Sequence, residues 1–160
     1  MAPGAIDRQS AACAEIKTRR TLKAAIPLSA PVKHSAMSEQ FEGGCLCGAV
    51  RFVATGQPKS VAWCHCQRCR KHTGAPVSVF AACDRTAYTV TNGEITKFNS
   101  SPGGWRGFCA RCGSTLTCEG EPLPTETHFH VGAFDLAAGL QPTRHIFPEE
   151  RLPWLHLADG

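Results

Sequence analysis

The sequence predicts a single, mainly β domain, and three observations lead to this prediction. The chain has 160 residues, of which 42% are apolar and 8% aromatic, which suffices for one modest hydrophobic core. Short runs with the two-residue periodicity of strands alternate with clusters of turn residues. No apolar stripe with helical spacing persists for three turns.

The first predicted strands lie in the middle of the chain. Residues 49–54 alternate apolar Val50 and Phe52 with polar positions and end at a turn cluster, residues 55–58. Residues 77–81 form a second apolar run. Both segments are short enough to be strands of a small sheet.

A β-hairpin is predicted next. Residues 87–90 and 95–98 flank the dipeptide Asn92-Gly93. This dipeptide tolerates positive φ at both central positions of a tight turn, which is the geometry that a two-residue hairpin needs. We therefore expect the two segments to pair with each other.

The C-terminal half continues the pattern of short strands separated by loops. Further strands are predicted at residues 105–109, 114–118, 128–134 and 143–147. Loops rich in glycine and proline are predicted at residues 101–104 and 120–124. Asp135 is predicted to cap a single helical turn that ends at Gly139.

The positive charge is concentrated at the N-terminus. Residues 1–36 hold six Lys or Arg side chains against Asp7 and Glu15, which accounts for the whole formal net charge of +4. From Met37 onward, eleven basic residues balance eleven acidic ones, so we predict no nucleic-acid partner for this part. We also predict no membrane partner, because no run approaches the ~20 apolar residues of a membrane span.

The chain is predicted to consist of an N-terminal extension, residues 1–36, and a domain, residues 37–160. Ten cysteines would suit a secreted disulfide scaffold, but no uninterrupted apolar segment of a signal peptide is present. We therefore predict a cytoplasmic location. Two alternatives stay open for the extension: a targeting signal, since residues 18–23 read TRRTLK, or a disordered or untranslated segment ahead of a start at Met37.

Seven of the ten cysteines fall into three tight groups. The groups are Cys45 and Cys47, then Cys64, Cys66 and Cys69, and finally Cys109 and Cys112. A structural zinc site uses four protein ligands, whereas a catalytic zinc site keeps three and an open position. The simplest partition joins the two pairs into a structural site and leaves the triplet as a catalytic site. A site made of one pair and two members of the triplet stays open as an alternative.

Both pairs have spacings that suit a metal ion. Cys109 and Cys112 precede Gly113, as in a zinc-knuckle turn. Cys45 and Cys47 have strand spacing, so their side chains are expected to leave one face of a strand, with Cα atoms roughly 6.5 Å apart. Two thiolates bound to one zinc ion at about 2.3 Å need sulfurs only ~3.8 Å apart, which converging side chains can reach.

The triplet predicts an open metal site that binds a thiol. Zinc with three thiolates carries a formal charge of −1, which weakens it as an activator of water. Such a soft ion favours sulfur as its fourth ligand and deprotonates an incoming thiol. Cys64, Cys66 and Cys69 are therefore the predicted catalytic residues. Alternatives are a site closed by His65, His72 or another side chain, and free thiols.

Three residues beside the triplet are predicted to bind the thiol substrate: Arg70, Lys71 and Thr73. The cations, together with Arg68, would balance the anionic metal site and receive the carboxylates of an acidic thiol. Thr73 opens a loop of small residues that a ligand can approach closely. The alternative is that the cations are solvated surface charges.

Other reactive side chains receive no catalytic role from their spacing. Cys83 and Cys118 are predicted to be small buried apolar groups. Acid–base residues cannot be placed relative to the metal from the sequence. The unassigned candidates are Tyr88, His128, His130 and His145.

The ordered motifs resemble those of the glutathione-dependent formaldehyde-activating family, which also includes centromere protein V-like proteins. The motifs are GGCLCGAVRF, WCHCQRCRKHTGAP, FCARCGS, HVGAFD and RHIFPEERLPWLHLADG, so the resemblance covers residues 41–160. It implies a zinc-binding β-tent of small antiparallel sheets. It also implies a structural zinc ion and a catalytic one, bound respectively by the two cysteine pairs and by the cysteine triplet.

The resemblance further implies a carbon-sulfur lyase that adds glutathione to formaldehyde, forming S-hydroxymethylglutathione, or acts on a related thiol adduct. The implied cofactor is zinc at two sites, with glutathione as co-substrate. The implied partners are a small-molecule thiol and an aldehyde or thiol adduct. A non-catalytic zinc module that binds protein or chromatin, as in the centromere protein V-like branch, is the alternative. The sequence gives no prediction of the oligomeric state.

Overall fold

A computed structural model describes residues 39–157 of the chain. This part contains ten β-strands, one α-helix and two short 3₁₀ helices. The strands are β1 (Gln40–Gly44), β2 (Arg51–Thr55), β3 (Ser60–Cys64), β4 (Ser78–Asp84), β5 (Tyr88–Asn92), β6 (Thr96–Ser101), β7 (Gly104–Phe108), β8 (Thr115–Gly120), β9 (Glu126–His130) and β10 (Arg144–Ile146). The helix is α1 (Gln67–Thr73), and the 3₁₀ helices are Val131–Ala133 and Pro148–Glu150.

The strands form two sheets. A three-stranded sheet has the order β1-β2-β5, and a seven-stranded sheet has the order β10-β3-β4-β9-β8-β7-β6. All pairings are antiparallel except that of β10 with β3. The prediction of a mainly β fold built from antiparallel sheets is confirmed. None of the helices in the described region is long and apolar enough to cross a membrane.

One face of the seven-stranded sheet forms the main core with the three-stranded sheet. Phe129 of β9 is fully buried, and its ring centroid lies 4.5 Å from that of Phe52 of β2. Phe134 meets the Phe52 ring edge-on at 5.3 Å. Each such aromatic burial contributes about 1.5–3 kcal/mol before entropic costs.

The opposite face of the seven-stranded sheet carries polar and sulfur-containing side chains. Cross-strand register places Phe98, Arg106, Cys118 and His128 in one row, because each pairs directly with the next. His130 lies two residues after His128 and therefore shares this face. Helix α1 lies against β4 at this face, since Thr73 Oγ1 lies 3.2 Å from Ser78 Oγ.

The hairpin predicted at Asn92-Gly93 is wrong. Strand β5 pairs with β2 of the small sheet, whereas β6 pairs with β7 of the large sheet. Gly93 does adopt a positive φ of 67°, but a Cβ there would lie 2.0 Å from the Ala49 carbonyl oxygen. The side-chain amide nitrogen of Asn92, Nδ2, lies 3.2 Å from the same oxygen. The dipeptide therefore lies in the connection that leads from the small sheet to the large one. The residue types of a turn determine the local φ angles, but they do not determine which strand the next segment pairs with.

The helical turn predicted to follow Asp135 is also wrong. A 3₁₀ helix instead precedes it at Val131–Ala133 and shortens the predicted strand 128–134. The Asp135 carboxylate binds the Arg51 guanidinium, with Nη1 3.0 Å from Oδ1, and so does not cap a helix.

Helix α1 and strands β1 and β3 were not predicted. Helix α1 is too short to show an apolar periodicity. Cys66 precedes the helix without a side-chain cap, and Gly74 ends it in the left-handed conformation with φ 69°. Cys66 and Cys69 thus lie one helical turn apart, which the spacing alone did not indicate.

Candidate metal centres and substrate site

The two cysteine pairs converge on one point. Cys45 and Cys47 lie in the loop after β1, and Cys109 and Cys112 lie in the turn between β7 and β8. Their four Sγ atoms all lie within 4.8 Å of one another. The Cys45–Cys47 and Cys47–Cys109 sulfur distances are 3.5 and 4.0 Å, close to the ~3.8 Å between thiolates of a tetrahedral zinc site. The cluster has the donors and the spacing to bind a metal ion.

Backbone hydrogen bonds shape this cluster. Cys45 Sγ accepts from the Val50 N–H at 3.2 Å, and Gly113 donates its N–H to the Cys109 carbonyl at 2.8 Å. Gly113 has a φ of 74°, as the predicted knuckle turn requires. Cys45 and Cys47 lie in a turn and not in a strand, so the predicted strand geometry for this pair is wrong.

Ser114 ties the two loops together. Its hydroxyl accepts the Leu46 N–H at 3.0 Å and lies 3.2 Å from Cys112 Sγ. The hydrogen bond from Ser114 lowers the pKa of Cys112 to about 5. Cys112 is therefore ionised at neutral pH, which is the form that ligates metals.

The triplet is a looser group at the start of α1. Cys64 ends β3, Cys66 precedes the helix and Cys69 lies inside it. Cys64 and Cys69 are buried, with their Sγ atoms 3.5 Å apart, whereas Cys66 is half-buried. Within residues 39–157, the four-cysteine cluster is the one group whose ligand atoms all approach within 4.8 Å, so the triplet is more open than the cluster.

One sulfur of the triplet, that of Cys69, carries negative charge. The hydrogen bond from Cys64, together with the Arg106 guanidinium, lowers the pKa of Cys69 to about 6. The same shared proton raises the pKa of Cys64. The pair therefore holds one thiolate at neutral pH, located on Cys69.

Arg106 is the buried cation of this site. Its Nη1 lies 3.3 Å from Cys69 Sγ and 3.1 Å from Cys118 Sγ, and its Nε lies 3.3 Å from Ser100 Oγ. A buried guanidinium needs anionic or hydrogen-bonding partners, and two sulfurs supply them. Sequence reasoning missed this residue, because its partners come from other elements. Its sole signal was a charge within the predicted strand 105–109.

Cys83 and Cys118 differ in their surroundings. Cys83 is buried in the main core, as the prediction of a small apolar group requires. Cys118 is half-buried and packs against Cys64 and Cys69. Its contact with Arg106 places it beside the triplet.

A cavity of about 320 Å³ lies beside Arg106. Its lining consists of Arg68, Lys71, His72, Phe98, Ser100 and Arg106. Three cations, one imidazole and one aromatic ring thus surround it. Such a lining suits a small molecule that carries carboxylates.

The predicted substrate-binding residues occupy three different places. Lys71 lines the cationic cavity. Arg70 instead donates from Nη1 to the His65 carbonyl at 2.9 Å and to the Glu150 carbonyl. Thr73 lines a second cavity, of about 440 Å³, together with Ser78 and His130.

The histidines near the triplet form two pairs. His65 is fully buried, and its Nε2 lies 2.7 Å from His145 Nδ1, with the two rings stacked. His72 and His130 have ring centroids 6.0 Å apart. The Nε2 of His65 thus contacts His145, and the alternative of a triplet site closed by His65, His72 or another side chain stays a prediction.

Comparison with protein families gives a match over most of the described region. A family model described as glutathione-dependent formaldehyde-activating enzyme matches residues 40–150.

Two relatives of known sequence are similar to this chain. An uncharacterized lyase from Schizosaccharomyces pombe is 34% identical over 77 residues, covering 48% of this chain and 56% of the relative. A putative glutathione-dependent formaldehyde-activating enzyme from Halomonas elongata is 32% identical over 126 residues, covering 72% and 80%. The chain thus spans little more than half the length of the yeast relative.

A crystal structure of a Rhodobacter sphaeroides protein has a similar fold. The TM-score is 0.54 at 20% sequence identity, covering 66% of this chain and 99% of that one. At this identity the similarity concerns the fold alone.

Proposed function

The chain belongs to the glutathione-dependent formaldehyde-activating enzyme family, and on that premise we propose that it is a zinc-dependent enzyme that adds glutathione to formaldehyde. The product is S-hydroxymethylglutathione, and cleavage of this adduct makes the enzyme a carbon-sulfur lyase. Both matched relatives carry names of this kind, one a lyase and one a formaldehyde-activating enzyme. A related thiol or thiol adduct fits the same chemistry.

The observation that carries this proposal is the position of Arg106. It contacts the Cys69 sulfur and also lines the cationic cavity. A thiol bound in this cavity would have its anionic groups near Arg68 and Lys71 and its sulfur beside the triplet. The cavity thus joins a binding site for carboxylates to a site for sulfur.

The proposal includes two zinc ions per chain. The four-cysteine cluster is the proposed structural site, since its sulfurs are already at tetrahedral spacing. Cys64, Cys66 and Cys69 are the proposed ligands of the catalytic ion, which when bound would keep an incoming thiol ionised. Arg106 would offset the negative charge that three thiolates leave on this site.

The protein side chains have separate roles in the proposed reaction. Lys71 and Arg68 bind the carboxylates of glutathione, and Arg106 orients Cys69. Thr73 fixes the end of α1, because its hydroxyl donates to the Cys69 carbonyl at 2.9 Å. Holding both reactants in one geometry lowers the entropic part of the barrier.

The location and domain assignments are part of this proposal. We propose that residues 37–160 form the zinc-binding domain, that residues 1–36 form an extension, and that the protein acts in the cytoplasm. The described structure starts at Glu39, so the predictions for residues 1–36 and for a start at Met37 lie outside the described residues.

Metal analysis followed by titration with glutathione tests the proposal. We expect two zinc ions per chain. X-ray absorption at the zinc edge should show a rise in the mean number of sulfur ligands at saturating glutathione, because a new thiolate joins the open site. An unchanged metal shell at saturation would contradict the proposal.

Replacing Cys66 by Ser separates an enzyme from a structural zinc module. An enzyme should keep its folding stability and lose turnover of glutathione and formaldehyde. A closed structural site should instead lose stability on this substitution. Cys83→Ala, in the main core, is the matched control and should leave the metal content unchanged.

A further inference from the structure

Two buried imidazole nitrogens near the cysteine triplet lack a hydrogen-bond partner among residues 39–157. His130 is only 6% exposed, and His72 is half-buried. Within the described part of the chain, neither His72 Nε2 nor His130 Nε2 has a hydrogen-bond partner. An unpaired buried polar atom is unfavourable, and a ligand that hydrogen-bonds to it is one reason for its presence.

Both imidazoles lie beside the proposed reaction site. The His130 ring lies 4.4 Å from the Phe80 ring, and Phe80 packs against Cys64 and Cys69. His72 follows Cys69 by three residues on α1, so it lies on the same side of the helix. The two histidine rings are 6.0 Å apart.

Each of the two cavities is lined by one of these histidines. His72 lines the cationic cavity, where the thiol is proposed to bind. His130 lines the second cavity, beside Thr73 and Ser78. The linings of the two cavities thus each contain one ring of this histidine pair.

Both rings are uncharged at neutral pH. Burial, together with the nearby His72 and Arg106, lowers the pKa of His130 to about 3. Burial likewise lowers the pKa of His72. A neutral imidazole has one N–H donor, and in a buried site such a donor stabilises a developing oxyanion.

We propose that His130, with His72 beside it, forms the site that binds the aldehyde oxygen during carbon-sulfur bond formation. This inference rests on the proposed function and adds a catalytic residue to it. The ligand class is a small aldehyde or, in the reverse direction, the hydroxyl group of a thiol adduct.

The step balances without any redox partner. The thiol S–H bond breaks and its proton passes to solvent. The sulfur electron pair forms the bond to the carbonyl carbon, and the C=O π pair moves to the oxygen. The His130 N–H donates to this oxygen while the charge develops, and the oxygen then takes up a proton from solvent. The reactants thus give one hydroxyalkyl thioether and nothing else.

His128 provides a matched control. It lies on the same strand and the same face of the sheet, two residues before His130. Its Nε2, however, lies 2.9 Å from a carboxylate oxygen of Glu126. His128 therefore has a protein partner and is not expected to bind the oxygen.

Steady-state kinetics with glutathione and formaldehyde test the inference. Relative to wild type, His130→Leu should lower kcat by about 10²–10³-fold, the usual effect of removing one oxyanion donor. Zinc content and glutathione affinity, measured by metal analysis and calorimetry, should stay at wild-type values. His130→Gln keeps an N–H donor at a similar position and should retain more activity than His130→Leu. His128→Gln should have wild-type kcat.

The outcomes separate this inference from the proposed function. Wild-type protein that binds no glutathione and shows no turnover would overturn the proposed function and, with it, the inference. Wild-type turnover combined with full kcat in His130→Leu would overturn the inference alone. If His130→Leu does not fold, His130→Met, which also lacks a donor, decides, and a kcat equal to wild type in that variant overturns the inference. An equal loss in His128→Gln would also overturn it, because the effect would then be structural.

Discussion

The Arg106 guanidinium nitrogen Nη1 lies 3.3 Å from Cys69 Sγ, which joins the centre of strand β7 to helix α1. The same nitrogen lies 3.1 Å from Cys118 Sγ. The contact explains how a cluster of thiols carries negative charge inside the protein: a buried cation faces it. It also relates the cysteine triplet to the cationic cavity, since Arg106 contacts Cys69 and lines the cavity.

Arg106→Met is expected to weaken metal binding at the triplet. Hydrogen bonds to charged groups contribute about 1.5–3 kcal/mol, so the affinity should fall roughly tenfold to hundredfold. Competition with a chelator measures this affinity. Arg85→Met removes a half-exposed cation and serves as the control. Equal affinities in wild type and Arg106→Met would show that Arg106 does not stabilise the thiolates.

Cys109→Ser is expected to remove one metal ion per chain and to destabilise the fold. Cys109 is almost fully buried and its sulfur lies 4.0 Å from that of Cys47, so its loss opens the cluster that joins the β1 loop to the β7–β8 turn. Since structural zinc contributes folding energy directly, we expect the midpoint of thermal unfolding to fall by more than about 10 °C.

Cys83→Ala is the matched control for Cys109→Ser. It removes a buried sulfur from the core without touching the cluster. Metal content should be unchanged, and the stability loss should be about 1 kcal/mol. Metal loss of the same size in both variants would contradict a role for Cys109 as a ligand.

The sequence allowed prediction of those parts of the site that depend on local spacing. Gly113 permits the knuckle turn at Cys109 and Cys112. The grouping of seven cysteines indicated two candidate metal sites from the sequence alone. The contact of Arg106 with Cys69 depends on strand register and on the docking of α1. Neither property has a local sequence signal, so this contact could not be predicted.

The hairpin error has a related cause. Asn92 and Gly93 have the residue types of a tight turn, and Gly93 does adopt positive φ. The sequence holds no local information on whether the next strand returns to the same sheet. The pairing of β5 with β2 and of β6 with β7 determines which sheet each strand joins.

Gly93→Ala is expected to destabilise the protein more than Gly56→Ala. Both glycines have positive φ, so both substitutions carry the cost of a left-handed backbone. At Gly93 the new Cβ would also lie 2.0 Å from the Ala49 carbonyl oxygen, whereas at Gly56 no neighbouring atom of residues 39–157 lies within 4 Å. Overpacking of this kind costs about 1–3 kcal/mol. Urea unfolding measures the loss of stability in each variant. Equal losses would show that the backbone between β5 and β6 moves away from the new Cβ without cost.

Asp135→Asn is expected to destabilise the protein at neutral pH but not in acid. Hydrogen bonds from Arg51 hold the pKa of Asp135 below its usual value. A lowered folded-state pKa stabilises the protein above the unfolded-state pKa of about 3.9, and this contribution is lost as the pH falls through the folded-state pKa. Urea unfolding of both proteins should therefore give a stability gap at about pH 7 that narrows as the pH falls below about 3.9. Protonation of the cysteines changes the stability of both proteins equally, so it does not affect the difference between them at each pH.

Glu42→Gln is the control, because that carboxylate lies 4.0 Å from Arg51 and a smaller gap is expected. A gap of constant size across this range would show that Asp135 acts through packing and not through its charge.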